Sequence, residues 1–171
     1  MRLYCKRMPS SIGEIRIYAT DRAVVGLLMA DEAHKDRDQT FNHSGEEDIE
    51  VLMKAEEELK AFFSGTLKKF TVPIEVSGTD FQKSVWKTLQ TIGYGQLRTY
   101  ADVARTIARP MAVRAVGRAI GGNPVPIIIP CHRVVGSDAS LTGFGGGLSA
   151  KQILLELEGH IVTDFKLRKD S

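Results

Sequence analysis

The chain reads as an α+β protein in two parts. A small N-terminal domain with an antiparallel sheet plus helix spans residues 1–77, and a mostly helical domain spans 78–171. Three observations predict this. Apolar residues alternate with polar ones in the first thirty positions, a helical-period pattern runs from 48 to 63, and capping signals with glycine breaks divide the remainder into short helices.

In the first part, Leu3 and Cys5 alternate with charged neighbours, and Ile15 and Ile17 alternate with Arg16 and Tyr18. Val24 to Met29 follows the turn signal Thr20-Asp21-Arg22. These runs predict an antiparallel sheet with one buried face. Residues 31–48, which hold His34 and His43, are polar and predict a loop without metal-ligand spacing. From 48 to 63, Leu52, Ala55, Leu59 and Phe62 share one helix face, Glu56 and Lys60 form an i,i+4 pair, and Gly65 stops the helix. Phe70 to Val76, with Pro73, is an extended connection, and a domain boundary near residue 78 follows.

Beyond it, Thr79 with Gln82 makes a capping box for a helix that buries Phe81, Val85, Trp86 and Leu89. Gly93 and Gly95 break it. Thr99 caps a short helix through Ile107, with Asp102 in its first turn. Pro110 suits the first position of the next helix, Met111 to Ile120, ended by Gly121-Gly122. Two short helices joined by a tight turn make a helix-turn-helix candidate. On the second, Val113, Val116 and Ile120 form the expected buried stripe, while Ala112, Ala115, Arg118 and Ala119 form the other face. Ser149 with Gln152 caps a last helix carrying Ile153, Leu154 and Leu157, closed by Gly159.

Composition narrows the function. The 43% hydrophobic and 26% charged fractions are those of an ordinary globular protein, and no apolar run is long enough to span a bilayer. The charged start, Met1 to Arg7, lacks the apolar core of a secretory signal, so a cytoplasmic protein (nuclear in a eukaryote) is expected. Two cysteines at opposite ends, Cys5 and Cys131, argue against a disulfide framework. The net charge of +2 demands no nucleic acid. However, Arg98, Arg105, Arg109, Arg114 and Arg118 cluster in one stretch opposed only by Asp102, which suits a phosphate backbone and equally a solvated helix face.

The chemistry concentrates at Asn123-Pro-Val-Pro-Ile-Ile-Ile-Pro-Cys131-His132-Arg133-Val-Val. Three prolines and an apolar run hold Cys131 rigidly. A cysteine attacks as its thiolate, so a nucleophilic Cys131 needs a base or positive charge close by, and His132 and Arg133 follow directly. Cys-His alone is more often a small buried hydrophobe beside an incidental histidine than a nucleophile.

The run Pro130-Cys131-His132-Arg133-Val134-Val135 resembles the active-site signature of the O6-alkylguanine-DNA alkyltransferases, or methylated-DNA–protein-cysteine methyltransferases. Phe81 to Trp86, Thr99-Tyr100-Ala101, Arg114 to Gly117, Gly122 to Pro126, Gly146-Gly147-Leu148 and Glu158-Gly159-His160 resemble the family in order and spacing, over roughly residues 79 to 160. The resemblance implies a winged helix-turn-helix-like second domain and DNA repair by alkyl transfer to Cys131. His132 would accept the thiol proton, Glu158 (rather than Glu156) would orient His132, and Asn123 would tie the turn after the recognition helix. Tyr100 would help rotate and hold the nucleotide, and Arg114 would fill the vacated base stack. Ala112, Ala115, Gly117 and Arg118 complete the implied DNA-binding face. Val134, Phe144 and Gly145 would line the guanine pocket, with Phe144 and Gly145 standing where some members carry tyrosine and serine. Ala108 stands where a glycine is usual. The partner implied is double-stranded DNA containing O6-alkylguanine, bound by a monomer, with no cofactor, no metal and no membrane.

Overall fold

The computed structural model describes residues 2–30 and 48–168; the stretch 31–47, with His34, His43 and most of the expected polar loop, lies outside the described residues. The chain divides into two compact units, Met1–Val76 and Ser77–Ser171.

In the first unit, strands β1 (Tyr4–Met8), β2 (Ile15–Ala19) and β3 (Val24–Met29) form one antiparallel sheet in that order. Lys6 and Leu27 both pair with Ile17, so the alternation seen in sequence fixes the register. Helix α1 (Glu50–Phe63) covers the sheet with Leu52, Ala55, Leu59 and Phe62, each fully buried. Burying each of the larger three contributes roughly 1.5–3 kcal/mol. The expected Glu56–Lys60 pair forms at 3.0 Å, and Gly65 takes a positive φ of 81° where the chain leaves the helix. The expectation of a sheet with only one buried face is corrected. Cys5, Tyr18 and Leu28 make a second buried cluster on the face opposite Ile15 and Ile17. A strand buried on both faces reads as a continuous apolar run, and Val24 to Met29 is one.

The connection after α1 is extended, and it is held. The buried Glu58 carboxylate accepts the backbone N–H of Thr71 and Val72, each at 3.0 Å. Ile74 then bridges Val24 in parallel.

The second unit carries helices α2 (Asp80–Leu89), α3 (Tyr100–Thr106), α4 (Val113–Gly121) and α5 (Leu148–Leu157). Short strands β4 (Arg98–Thr99) and β5 (Val134–Val135) pair in parallel, and β6 (Val162–Thr163) and β7 (Lys166–Leu167) pair antiparallel. The capping boxes at Thr79/Gln82 and Thr99/Asp102 both form, which explains where α2 and α3 begin. On α2, Val85, Trp86 and Leu89 are buried and Phe81 is half-buried.

Three details depart from the sequence reading. First, α4 starts at Val113, because Ala112 N–H bonds the Arg109 carbonyl at 2.9 Å and places Pro110 in a turn ahead of the helix. Second, Val113 is exposed and Ala119 is buried instead, its carbonyl accepting the Trp86 indole N–H at 2.8 Å. That bond rotates the buried stripe of α4 toward α2. Third, Ser149 does not cap α5. Gly147 does, at a φ of 90° that suits glycine, and the buried positions are Ala150, Lys151, Leu154 and Leu155.

Candidate active site

Cys131 opens a 3-10 turn, Cys131–Arg133, that leads straight into β5. The approach to it is braced from both ends by one side chain. Asn123 Oδ1 accepts the Val125 N–H at 3.0 Å, and its Nδ2 donates to the Ile129 carbonyl at 2.9 Å. Between them Ile127 holds a φ of 75°, a costly conformation for a β-branched residue, kept because the clamp and the prolines leave no alternative. Cys131 is 6% exposed. Burial pushes its proton affinity up, while the Asn123 amide, the positive charge of Lys151 and the Ile127 backbone N–H all favour the charged sulfur.

His132 has no exposed surface, and its Nε2 lies 2.6 Å from Glu158 Oε2. Glu158 sits one residue past α5, at its C-cap, where a carboxylate opposes the helix dipole. Compensation comes from several donors. Arg133 gives Nε to Oε1 at 2.8 Å and Nη2 to Oε2 at 3.0 Å, and the Gly95 N–H reaches Oε1 at 2.9 Å. Burial alone would raise this carboxyl; the bonds from His132, Arg133 and Gly95 win and bring it down to about 2. Burial keeps the imidazole neutral by lowering its proton affinity, with Glu158 pulling the other way.

Tyr100 is the first residue of α3, and its phenol accepts a hydrogen bond from the Thr142 hydroxyl at 2.7 Å. Burial raises its proton affinity, and it senses the charge of Cys131. Gly117 of α4 faces this ring, since a Cβ built there would lie 3.9 Å from Tyr100 Cδ1. Val134 is buried, and Phe144 and Gly145 are half-buried in the loop leading to α5. On α4, Arg114 and Arg118 point to solvent with Ala112 and Ala115 half-buried beside them. Arg98, Arg105 and Arg109 are exposed as well, and Arg105 pairs with Asp102.

The fold thus brings Cys131, His132, Glu158, Asn123 and Tyr100 into one neighbourhood and leaves the arginines of α4 outside it. The sequence reading missed Lys151, Thr142 and the fork of Arg133 on Glu158. Lys151 is fully buried, with Nζ donating to the carbonyls of Val134 at 2.6 Å and Thr142 at 2.8 Å. A signal existed: Lys151 stands three and four residues before Leu154 and Leu155, so it falls on the apolar stripe of its helix. Glu156, the competing acid, is exposed and bonded by Gln152.

A rigid buried thiol with a His–Glu pair behind it, next to a helix-turn-helix, defines a cysteine-nucleophile protein of a DNA-handling type. Comparison with known proteins agrees and sharpens this. Residues 80–160 match the family described as 6-O-methylguanine DNA methyltransferase, DNA binding domain, and residues 3–76 match its ribonuclease-like domain. The methylated-DNA–protein-cysteine methyltransferase of Mycolicibacterium paratuberculosis is 40% identical over 153 residues, covering 90% of both chains. That of Methanosarcina acetivorans is 50% identical over 66% of this chain and 72% of its own. A crystal structure of Mycobacterium tuberculosis OGT in complex with DNA superposes with a TM-score of 0.79 at 39% identity, covering 92% of each chain. The chain belongs to the 6-O-methylguanine DNA methyltransferase family.

Proposed function

We propose that this chain repairs duplex DNA by moving an alkyl group from O6 of guanine onto Sγ of Cys131, once per molecule. The reading rests on the buried His132–Glu158 pair, 2.6 Å apart, immediately after a rigidly braced cysteine. His132 takes the thiol proton through a water and becomes a cation that the ionised Glu158 stabilises. The sulfur attacks the alkyl carbon. As the S–C bond forms, the C–O6 bond breaks and its electron pair leaves with guanine, which takes up one proton. Tyr100, whose phenol senses the Cys131 charge, is placed to serve the departing base. No cofactor is needed, because the lesion carries its own leaving group. The thioether product resists water, so the protein is consumed.

Guanine O6 is inaccessible in the stacked duplex, so the nucleotide must be extruded at a cost of a few kcal/mol. Arg114, exposed on α4, fills the vacated stack. Ala112 and Ala115 let the helix approach the minor groove, which is about 6 Å wide. Arg118 lies on the same face, and Gly117 stands beside the Tyr100 ring. Val134, Phe144 and Gly145 border the guanine pocket. Double-stranded DNA containing O6-alkylguanine is the partner, met by a monomer; the complex of the Mycobacterium tuberculosis protein with DNA supports this choice. Among the described residues, no helix is long and apolar enough to cross a membrane.

The test is stoichiometric. Excess duplex carrying labelled O6-methylguanine should leave about one methyl per chain, none on a Cys131→Ser variant that still binds DNA. Repeated turnover, or label on Cys5, overturns the assignment. In the same assay Arg114→Ala should slow transfer from duplex far more than from free O6-benzylguanine; equal slowing removes Arg114 from the flipping role.

A further inference from the structure

Lys151 is a cation without exposed surface, on the buried stripe of α5. Burying an ammonium is costly unless a charge or full hydrogen bonding compensates. Among the described residues its hydrogen-bond partners are two backbone carbonyls, Val134 at 2.6 Å and Thr142 at 2.8 Å, and it pairs with no carboxylate. Glu158, the buried acid of the site, is committed to His132, Arg133 and Gly95. Val134 directly follows the 3-10 turn that begins at Cys131, and its N–H closes that turn on the Cys131 carbonyl. The ammonium is therefore anchored to the residue that closes the turn of Cys131.

Among the described residues, charged and titratable groups from three elements surround the sulfur. They are Lys151 from α5, Tyr100 from α3, His132 on the turn itself, and Arg133 with Glu158 behind His132. At Cys131 burial raises the thiol and the charge of Lys151 opposes it; at Lys151 burial brings the ammonium down to about 8 and the charge of Cys131 opposes it.

We propose that Lys151 is the resident counter-ion of the Cys131 thiolate, a positioning residue whose buried ammonium stabilises the charged sulfur and loses its anion when that sulfur is alkylated. The first half concerns the thiol alone; the second rests on the alkyl-transfer reading. Lys151 keeps its proton throughout. The thiol proton goes to His132, the sulfur gains a carbon, and guanine departs carrying one proton, so the negative charge facing Lys151 disappears. The same ammonium ties Val134 to Thr142, and Thr142 holds the Tyr100 hydroxyl at 2.7 Å, so the loss is felt along the wall of the pocket.

The test uses the full chain in a Cys5→Ser background, which leaves Cys131 as its single thiol. The pH midpoint of Cys131 alkylation by iodoacetamide should rise by about 1–2 units in Lys151→Met and stay near the parent in Lys151→Arg. A purely structural lysine would lower stability and leave that midpoint in place. If Lys151→Met does not fold, the unsubstituted lysine decides. Its titration, followed by NMR of a 13Cε label, should also report ionisation of the Cys131 thiol, and that response should vanish once Cys131 is methylated with iodomethane. An unchanged midpoint in folded Lys151→Met, or a Lys151 titration indifferent to methylation, overturns the proposal. Neither arm uses DNA, so failure to accept a methyl from O6-methylguanine would count against the repair reading alone.

Discussion

Glu158 shows how one carboxylate can hold a buried imidazole and remain ionised. Its two oxygens take His132 Nε2, the Arg133 fork and the Gly95 N–H, so its charge is matched by donors on three sides. Gly95 holds that position at a φ of 76°, a conformation that glycine adopts without strain. A neutral His132 is the state that can accept a proton, and burial lowers its proton affinity below the ordinary 6.5. The single-turnover transfer rate should therefore hold steady as pH falls through 6.5 and decline only below it. Glu158→Gln keeps the shape but removes the charge that stabilises protonated His132, so transfer should slow by about 100-fold or more at neutral pH. Rapid-quench label transfer over a pH series checks both, and a parent rate that already halves near 6.5 would show His132 unperturbed.

At the scale of elements, the helix pair α3–α4 is set by its connection. Ala108 ends α3 with a φ of 59°, while its N–H bonds the Arg105 carbonyl at 3.0 Å and the Arg109 N–H returns to Ala104 at 2.9 Å. That is the left-handed exit that glycine makes without strain. Alanine there costs about 1–2 kcal/mol, against about 0.4–1 kcal/mol of extra chain entropy that a glycine would lose on folding. Ala108→Gly should thus stabilise the chain by about 0.5–1 kcal/mol in urea unfolding. A destabilised variant would mean that the alanine methyl makes a contact worth more than the strain. The Trp86–Ala119 bond then fixes how α4 is rolled, and that roll leaves Arg114 and Arg118 to solvent.

For the whole molecule, buried groups make stability depend on pH with a definite sign. Both Glu158 and His132 bind protons more weakly in the folded chain than in the unfolded one. Their contributions are complete above the unfolded values and erode on acidification: His132 as pH falls below 6.5, Glu158 between 4.5 and about 2. The Glu158 part is on the order of 3 kcal/mol. Urea midpoints should fall steadily from about pH 7 to about pH 3, and Glu158→Gln should flatten the lower half of that slope. A variant with the parent's slope would place the acid-sensitive group elsewhere.

Much of this was legible in one dimension, because local rules govern it. Period and capping residues located the helices, the Pro-rich run announced a rigid Cys131, and the family resemblance, not any local rule, singled out Glu158 over Glu156. What the chain alone left open depends on groups far apart in sequence. Lys151 falls on the apolar stripe of its helix in sequence, yet only the packing of α5 against the cysteine turn makes it a buried cation. Val113 and Ala119 exchange places because Trp86, 33 residues away, decides which carbonyl it reaches. The Ser149 cap is lost to Gly147 because the preceding loop enters the helix at a φ of 90°. Sequence determined the kind of protein and its nucleophile; the electrostatic surroundings of that sulfur were decided by tertiary packing, since burial and charge proximity are properties of space.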